Sequence, residues 1–295
     1  MNISVIICSV GRPAVLHHTV RSILGQSLLP ANIFLVSPNA DSILPETLAL
    51  PSVRYVASPL GATIQRNRGL DSMPPETELV VFFDDDVELC VSYLQQMADL
   101  FRDCPQVLIA CGTLLLDGGR GTRVSREEAV QACSAEDRQP STPDPKPYVP
   151  LGSAYGCNMA ARVSALKGIR FDENLPLYSW LEDADFAVRL TRGALGVVTA
   201  TRAKGVHLGW RGGRVAGTRF GFSQIVNPLY LWKKAKVFPL QHVIVQFWLR
   251  CIAGNILGVL TRDQEYDRLG YLKGNLLGIK HLLGGDCDPT TILKM

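Results

Sequence analysis

The sequence predicts an α/β fold with a mostly parallel central sheet, plus a C-terminal helical region. Through the first half, short apolar runs alternate with longer mixed segments. These runs are continuously rather than alternately apolar, which is typical of strands covered on both faces. From Ser223 onward the composition turns helical and apolar. We therefore predict one α/β domain over residues 1–221 and a separate C-terminal helical region over residues 222–295.

The first elements follow directly from these runs. Residues 3–8 predict a strand, and residues 13–24 a helix with Pro13 in its first turn. Three further strands are predicted at residues 32–36, 53–57 and 79–83. The proline-rich segment QPSTPDPKPYVP, residues 139–150, predicts a surface loop because proline removes sheet donors. A further helix is expected over residues 182–190.

Composition limits the class of protein. The chain has 295 residues, 47% of them hydrophobic, enough to bury a sizeable core. A formal charge of +3 is too small to indicate nucleic acid as a partner. Eight scattered cysteines without a C-x-x-C pair fit reduced thiols in a cytoplasmic protein better than disulfides or a zinc site. The N-terminus lacks the features of a signal peptide, so we predict a cytoplasmic protein.

The segment ELVVFFDDDVEL, residues 78–89, ends a predicted strand on three aspartates. Ligands of open α/β sheets lie at the carboxyl ends of the strands. Side chains alternate along an extended backbone, so Asp84 and Asp86 would point one way and Asp85 the other. Two carboxylates on one side suit Mg²⁺ or Mn²⁺ shared with substrate phosphate. The alternative interpretation is a solvated acidic turn.

Two downstream motifs add candidate catalytic groups. WLEDADFAVRL places Glu182, Asp183 and Asp185 at the start of a predicted helix. There they are either helix-dipole partners or a general base for an incoming hydroxyl. His207, in GVHLG, is either a structural histidine or a third metal ligand.

Basic side chains supply candidates for binding phosphate. GATIQRNRGLD, residues 61–71, carries Arg66 and Arg68, and the glycine-rich segment 205–221 carries Arg211 and Arg214. Guanidinium groups are well shaped for a diphosphate, and a glycine-rich loop could close over a leaving group. Ordinary basic surfaces are the alternative.

Five segments carry a resemblance to a known family and stand in the family's order: SVIICSVGRP, GATIQRNRG, FFDDDVEL, GSAYGCNMAARVSAL and FDENLPLYSWLEDADFAVRL. On these segments the chain resembles the family 2 glycosyltransferases, which have the GT-A fold. The resemblance covers roughly the first two-thirds of the chain. It implies transfer of a sugar from a nucleotide-diphosphate donor to an acceptor hydroxyl, usually with inversion. A divalent cation, Mn²⁺ or Mg²⁺, is the implied cofactor, and a sugar or a lipid-linked sugar is the implied acceptor.

The resemblance also implies roles for particular residues. Asp86 becomes the principal metal ligand, with His207 as a further ligand, and Asp84 faces the nucleotide ribose. Asp183, in the Glu182-Asp183 pair beside Asp185, becomes the base. The residues implied on the acceptor side are Gly156, Asn158 and Trp180. Those implied at the nucleotide sugar are Ser9, Gly11, Arg12, Ser37, Arg66, Asp84, Asp85, Arg211 and Arg214.

Two positions depart from the family pattern. An acidic residue usually follows the second strand, and here Ser37 occupies that place, with Asp41 the nearest acid. Val10 stands where an aromatic residue is common. Both changes concern base recognition, so UDP does not follow as the donor nucleotide.

The function predicted on these grounds is a metal-dependent, hexosyltransferase-like enzyme, typically of cell-surface polysaccharide or glycolipid assembly. A sugar-nucleotide pyrophosphorylase should carry a glycine-rich basic loop after the first strand, and CSVGRPAV is a poor version of one. A non-catalytic nucleotide-sugar-binding protein should have lost the acids, which are all present here.

The C-terminal region predicts contact with a membrane. Residues 240–260 are long and apolar enough for a span, but Arg250 near the centre argues against one. Lys233, Lys234 and Lys236 lie beside aromatic residues, a mixture suited to an anionic lipid interface. A helix packed on the catalytic domain is the alternative. We predict peripheral association with the inner face of the membrane.

Overall fold

The computed structural model describes residues 1–139, 146–192, 195–210, 217–263 and 265–295. The chain forms two compact units. The first unit comprises Met1–Leu60, Gln65–Arg170 and Ala187–Gly213, and the second comprises Gly61–Ile64, Phe171–Phe186 and Arg214–Met295. The predicted domain boundary between residues 221 and 222 stays a prediction.

The first unit is built on a nine-stranded sheet. Its strands are β1 (Ile3–Cys8), β2 (Asn32–Ser37), β3 (Val53–Ala57), β4 (Leu79–Phe83), β5 (Val87–Leu89), β6 (Ile109–Asp117), β7 (Tyr148–Leu151), β8 (Asn158–Arg162) and β9 (Val197–His207). The helices of the chain up to residue 190 are α1 (Pro13–Leu24), α2 (Pro45–Leu48), α3 (Ala62–Asp71), α4 (Tyr93–Asp103), α5 (Arg126–Asp137), α6 (Val163–Leu166) and α7 (Glu182–Leu190). The unit boundaries fall inside α3 and α7.

The strand order is β3-β2-β1-β4-β8-β6-β9-β5, with β7 paired to β9. The pairs β3-β2, β2-β1, β1-β4 and β6-β9 are parallel. Strand β8 runs antiparallel to β4 and β6, and β5 and β7 run antiparallel to β9. The predicted α/β fold with a mostly parallel central sheet is therefore confirmed, and the antiparallel strands were not predicted.

The apolar runs explain why these strands lie at the centre. Every residue of β2 and β4 is buried, as expected for strands covered by helices on both faces. Helix α1 begins at Pro13, whose fixed φ suits the first helical position, and buries Leu16, Val20 and Ile23. The resulting core holds the sheet rigid beneath the strand ends.

The predicted loop over residues 139–150 is wrong in part. Residues 140–145 lie outside the described residues, but Tyr148–Leu151 form β7. Pro150 is tolerated because, among the described strands, β7 pairs only with β9, so the other edge of β7 needs no backbone donors.

The second unit contains the predicted C-terminal helical region, which is confirmed. Its helices are α8 (Gly217–Ala235), α9 (Leu240–Leu260, with a π-helical stretch at Val243–Leu249) and α10 (Arg268–Leu283). A 3₁₀ helix, Pro289–Lys294, closes the chain. Phe222, Val226 and Ile292 form a small core of this unit.

Gly112 in β6 permits tight packing against Tyr93. A Cβ at Gly112 would collide with the Tyr93 ring, which is fully buried and donates a hydrogen bond to the Asn158 carbonyl at 3.1 Å. We expect Gly112→Ala to lower the free energy of unfolding by about 1–3 kcal/mol, as overpacking does. Urea unfolding measures it. The control is Gly152→Ala, where a Cβ meets no atom within 4 Å. Equal stability of the two variants would contradict the packing argument.

Candidate metal and nucleotide-sugar site

The parallel pairing of β1 and β4 brings two predicted motifs to one edge of the sheet. Ile7 pairs with Phe83, so the Ser9–Arg12 loop and the Asp84–Asp86 turn leave the sheet side by side. Gly11 has a φ of +67°, a left-handed conformation that favours glycine and turns the loop. The structure thus confirms that these motifs lie together at the carboxyl ends of the strands.

Asp85, the middle aspartate, points into the protein. Its side chain is fully buried, pairs with Arg12 Nη2 at 2.6 Å, and accepts a hydrogen bond from Ser9 Oγ. Burial raises the pKa of Asp85 to about 7, and the Arg12 guanidinium opposes part of that rise. Asp85 therefore ties the first loop to the end of β4, and its predicted role at the nucleotide sugar stays a prediction.

Asp86 points toward β9. Its carboxylate lies 3.5 Å from His207 Nε2 and accepts a hydrogen bond from the Trp210 backbone N–H. Burial raises the pKa of Asp86, but hydrogen bonding to His207 and its charge outweigh burial, so the net pKa is lowered. The lowered pKa of this buried side chain favours the ionised carboxylate, which is the form that binds a metal.

The register of β9 places His207 beside these aspartates. Val87, which follows Asp86, pairs with His207 from one side, and Asp117 pairs with it from the other. One ligand atom each from Asp84, Asp86 and His207 lie within 4.8 Å of one another. Two carboxylates and an imidazole are donors that suit Mn²⁺, and carboxylates also suit Mg²⁺. The predicted trio is thus brought together into a candidate metal centre.

Asp117 orients His207. Its Oδ1 lies 2.9 Å from His207 Nδ1, and the Tyr155 hydroxyl lies 3.3 Å from both groups. With Nδ1–H donating to Asp117, His207 Nε2 faces Asp86 and Asp84, at 3.5 and 3.8 Å. The two carboxylates repel each other, so a proton on Nε2 or a cation beside it is needed to stabilise their approach to this nitrogen.

The charge of His207 follows from the same contacts. Burial lowers its pKa, but the hydrogen bonds to Asp117 and Asp86 and the charge of Asp86 raise it to about 10. A metal ion at Nε2 has to displace that proton. Metal binding is therefore expected to release a proton and to strengthen as pH rises toward 10.

Arg66 and Gly156 meet on the other side of Asp84. The buried guanidinium of Arg66 donates to the Gly156 carbonyl at 3.3 Å and lies 3.7 Å from Asp84 Oδ1. A Cβ at residue 156 would come within 2.6 Å of Arg66 Nη2. Glycine at this position therefore leaves room for the arginine that faces Asp84.

The remaining predicted residues of the first unit lie in or next to the sheet. Asn158 is buried in β8, where its side chain donates to the Gly112 carbonyl at 3.0 Å. Ser37 ends β2, and its buried hydroxyl forms no hydrogen bond within the described part of the chain. Arg211 and Arg214 lie outside the described residues. The binding roles predicted for all four stay predictions.

The predicted acidic motif belongs to the second unit. Asp185 is fully buried, with Lys234 Nζ at 3.5 Å, and Lys234 also contacts Asp172 at 2.6 Å. Glu182 is buried, whereas Asp183 is partly exposed and accepts from the Ala184 N–H at 2.7 Å. Trp180 packs edge-on against Phe220. Of the three acids, Asp183 is the most accessible to a substrate hydroxyl.

Sequence reasoning missed Asp117, Tyr155 and the Trp210 N–H. Asp117 carries a detectable signal, because LLLD ends an apolar strand on an aspartate as FFD does. Tyr155 and the Trp210 backbone carry none, since their contacts depend on the register of β9 with its neighbours.

The fold and the site define a class: an α/β protein in which an acidic turn and a histidine form a candidate metal centre at the carboxyl ends of the strands. Residues 4–170 match the profile of glycosyl transferase family 2. The chain belongs to this family.

Solved structures support the GT-A fold. TarS from S. aureus has a TM-score of 0.52 at 16% identity, over 84% of this chain and 43% of TarS. GalNAc-T7, crystallised with UDP, GalNAc and Mn²⁺, has a TM-score of 0.53 at 13% identity, over 72% of this chain and 46% of that one. The mannosyltransferase PcManGT from Pyrobaculum calidifontis, with GDP-Man and Mn²⁺, has a TM-score of 0.56 at 13% identity, over 97% and 88%.

This chain therefore spans less than half the length of TarS and of GalNAc-T7 as crystallised. At these identities the likeness establishes the fold, which confirms the predicted GT-A architecture. No curated protein sequence matches the chain.

Asp117→Asn tests the orientation of His207. The amide keeps the size but loses the charge that holds Nδ1–H, so we expect Mn²⁺ to bind about 10- to 100-fold more weakly. Isothermal titration with Mn²⁺ alone measures this. Tyr155→Phe is the control, because it removes only a hydroxyl 3.3 Å away and should weaken binding less. Unchanged Mn²⁺ affinity in Asp117→Asn would contradict the assignment.

Proposed function

We propose that the protein is an inverting glycosyltransferase that moves a sugar from a nucleotide-diphosphate donor to an acceptor hydroxyl, with Mn²⁺ or Mg²⁺ as cofactor. The observation that carries the proposal is the convergence of Asp84, Asp86 and His207 at the carboxyl ends of the strands. Membership of glycosyl transferase family 2 supports the same reaction class.

Asp86 and His207 would hold the cation, with Asp84 as the third, more exposed ligand. When bound, the cation supplies counter-charge to the diphosphate. The protein's own part is positional: Asp117 orients His207, the Trp210 N–H fixes Asp86, and Arg66 lies 3.7 Å from Asp84. A preorganised site of this kind lowers the cost of charge developing on the leaving group.

Asp183 is our proposed general base. It takes the proton of the acceptor hydroxyl, whose oxygen then attacks the anomeric carbon from the face opposite the nucleotide diphosphate. The glycosidic bond forms as the bond to the diphosphate breaks, so configuration inverts in a single displacement. Asp183 is favoured over Asp185, because Asp185 is fully buried and is engaged by Lys234.

Two other functions remain as test outcomes. A sugar-nucleotide pyrophosphorylase would exchange pyrophosphate into the donor, and a nucleotide-sugar-binding protein would bind without turnover. Purified protein incubated with a panel of nucleotide sugars, with and without Mn²⁺, separates the three. Metal-stimulated release of the nucleoside diphosphate supports the transferase, whereas pyrophosphate exchange or binding alone would refute it.

For the acceptor, we propose a sugar or lipid-linked sugar of cell-surface polysaccharide or glycolipid assembly. Such an acceptor on a lipid carrier would be presented at the inner face of the membrane. The exposed Lys233 and Lys236 of the C-terminal region support membrane contact there, since Lys236 also lies 3.5 Å from the Trp232 ring centre.

Asp86→Ala should abolish nucleotide release and sugar transfer, because the cation loses its most buried carboxylate ligand. Excess EDTA should do the same to the wild type. The control is Asp103→Ala, which removes an exposed acid at the end of α4. Transfer by Asp86→Ala, or by wild type in EDTA, at the rate of the control would overturn the metal-dependent mechanism.

Asp183→Asn should keep donor binding and lose transfer by on the order of 10²-fold or more, as expected when a general base is removed. Donor affinity and single-turnover transfer are measured on the same preparation. The comparison variant is Asp185→Asn, in which we expect lower thermal stability because Lys234 loses a buried partner. An inactive Asp185→Asn beside an active Asp183→Asn would reverse the assignment, and retained anomeric configuration would refute single displacement.

A further inference from the structure

The helices of the second unit bury a cluster of polar side chains beside their apolar core. Gln224 of α8, Asn255 of α9 and Asn275 of α10 are all buried. Asn255 donates to Gln224 at 2.9 Å and to Asn275 at 3.0 Å, and Asn275 donates to the Gly221 carbonyl at 2.8 Å. These side-chain amides satisfy one another where a water-soluble bundle would place leucines.

Glycines bring the same helices into backbone contact. Gly270, Gly274 and Gly278 recur every fourth residue along one side of α10, and all three are buried. A Cβ at Gly274 would collide with the Thr218 carbonyl oxygen of α8, and one at Gly221 with the Tyr271 carbonyl oxygen of α10. Small residues at this spacing, with interhelical amide bonds, are typical of helices packed within lipid.

The apolar side chains of α9 and α10 point outward instead. Leu260 is 74% exposed and Leu283 is 83% exposed. The other strongly exposed leucines and isoleucines on these helices are Leu240, Ile244, Leu249, Ile256, Leu257, Leu269, Leu276, Leu277 and Ile279. An exposed apolar surface of this extent on a folded chain indicates that another molecule or a membrane covers it. We call it the α9–α10 surface.

We propose that the α9–α10 surface inserts into the hydrocarbon region of an anionic lipid bilayer. Helix α9 has 21 residues, and an 18-residue window of it has a mean hydropathy of 1.7 with only 17% of its residues buried in the protein. By length and composition alone α9 could cross a membrane, since about 20 residues match the hydrocarbon core. However, the exposed Arg250 near its centre favours insertion of its apolar side over a full span. The buried amides are already paired, which lipid requires of polar groups.

The charges on these helices favour lipid over a second protein. Residues 222–295 carry nine lysines and arginines against five acids, so the positive charge of the chain is concentrated here. Lys273 and Lys280 are exposed on α10, which also presents the outward leucines. Lysine is depleted in protein interfaces, whereas its long stem can lie along acyl chains while the ammonium group reaches anionic headgroups.

This inference rests on the membrane contact in the proposed function and not on the transfer chemistry. It assigns that contact to hydrocarbon insertion by α9 and α10, with Lys233 and Lys236 adding attraction to headgroups. A lipid-linked acceptor would then be met in the same bilayer that holds the enzyme.

Flotation of the full chain with vesicles tests the proposal. The wild type should float with vesicles of 30% phosphatidylglycerol in phosphatidylcholine and keep most binding in 0.5 M NaCl, because hydrocarbon insertion is not screened. The triple variant Leu249→Ser, Leu257→Ser, Leu260→Ser should lose at least about tenfold in partitioning. The matched control is Leu29→Ser, Leu60→Ser, Leu195→Ser, which changes exposed leucines of the first unit and should bind as the wild type does.

Mn²⁺ affinity and nucleotide release, measured without vesicles, confirm that each variant is folded and keep the two proposals apart. A wild type that stays with the soluble fraction, or a triple variant that floats like its control, overturns the membrane surface and leaves the transferase proposal standing. Binding abolished entirely by 0.5 M NaCl would overturn insertion. Concentration-dependent dimers that require the same three leucines would assign the surface to a second copy.

Discussion

Mutual repulsion among three consecutive carboxylates is the constraint on which the site depends. The carboxylates of Asp84, Asp85 and Asp86 repel one another at the end of β4, so nearby positive groups are needed to stabilise the turn. Asp85 turns inward to Arg12, whereas Asp86 faces His207. The first loop is therefore held by the pairing of Arg12 with Asp85, and the end of β9 is held by the pairing of His207 with Asp86. Because adjacent aspartates point in opposite directions, one acidic turn positions both segments.

The register of β9 with its two neighbouring strands fixes the position of His207. His207 sits between Val87 on β5 and Asp117 on β6, so it faces the acidic turn from one nitrogen and a supporting carboxylate from the other. The imidazole is consequently presented in one orientation before any ligand arrives. Preorganisation of this kind matters for binding a cation, because ligands already held in place need not be reoriented when the ion arrives.

The two units differ in the kinds of side chain that they bury and expose. In the sheet, apolar side chains such as Phe82 and Phe34 are inside and polar groups are at the strand ends. In α8, α9 and α10 apolar side chains such as Phe222 are buried too, but Asn255, Asn275 and glycines share the interior, and many leucines face outward. One chain thus combines a sheet with an apolar core and a helix cluster that buries amides and glycines and exposes many leucines.

Local patterns determined the positions of β1, β2 and β4, because burial on both faces leaves continuous apolar runs that a sequence displays directly. The alternating directions of the Asp84, Asp85 and Asp86 side chains were also predictable from the sequence, because they follow from an extended backbone over three adjacent residues. By contrast, the pairing of Asp85 with Arg12, the support of His207 by Asp117 and the strand at Tyr148 join residues far apart in the chain. Only the tertiary structure decided these, since sheet register and side-chain packing set them and no short-range periodicity records either.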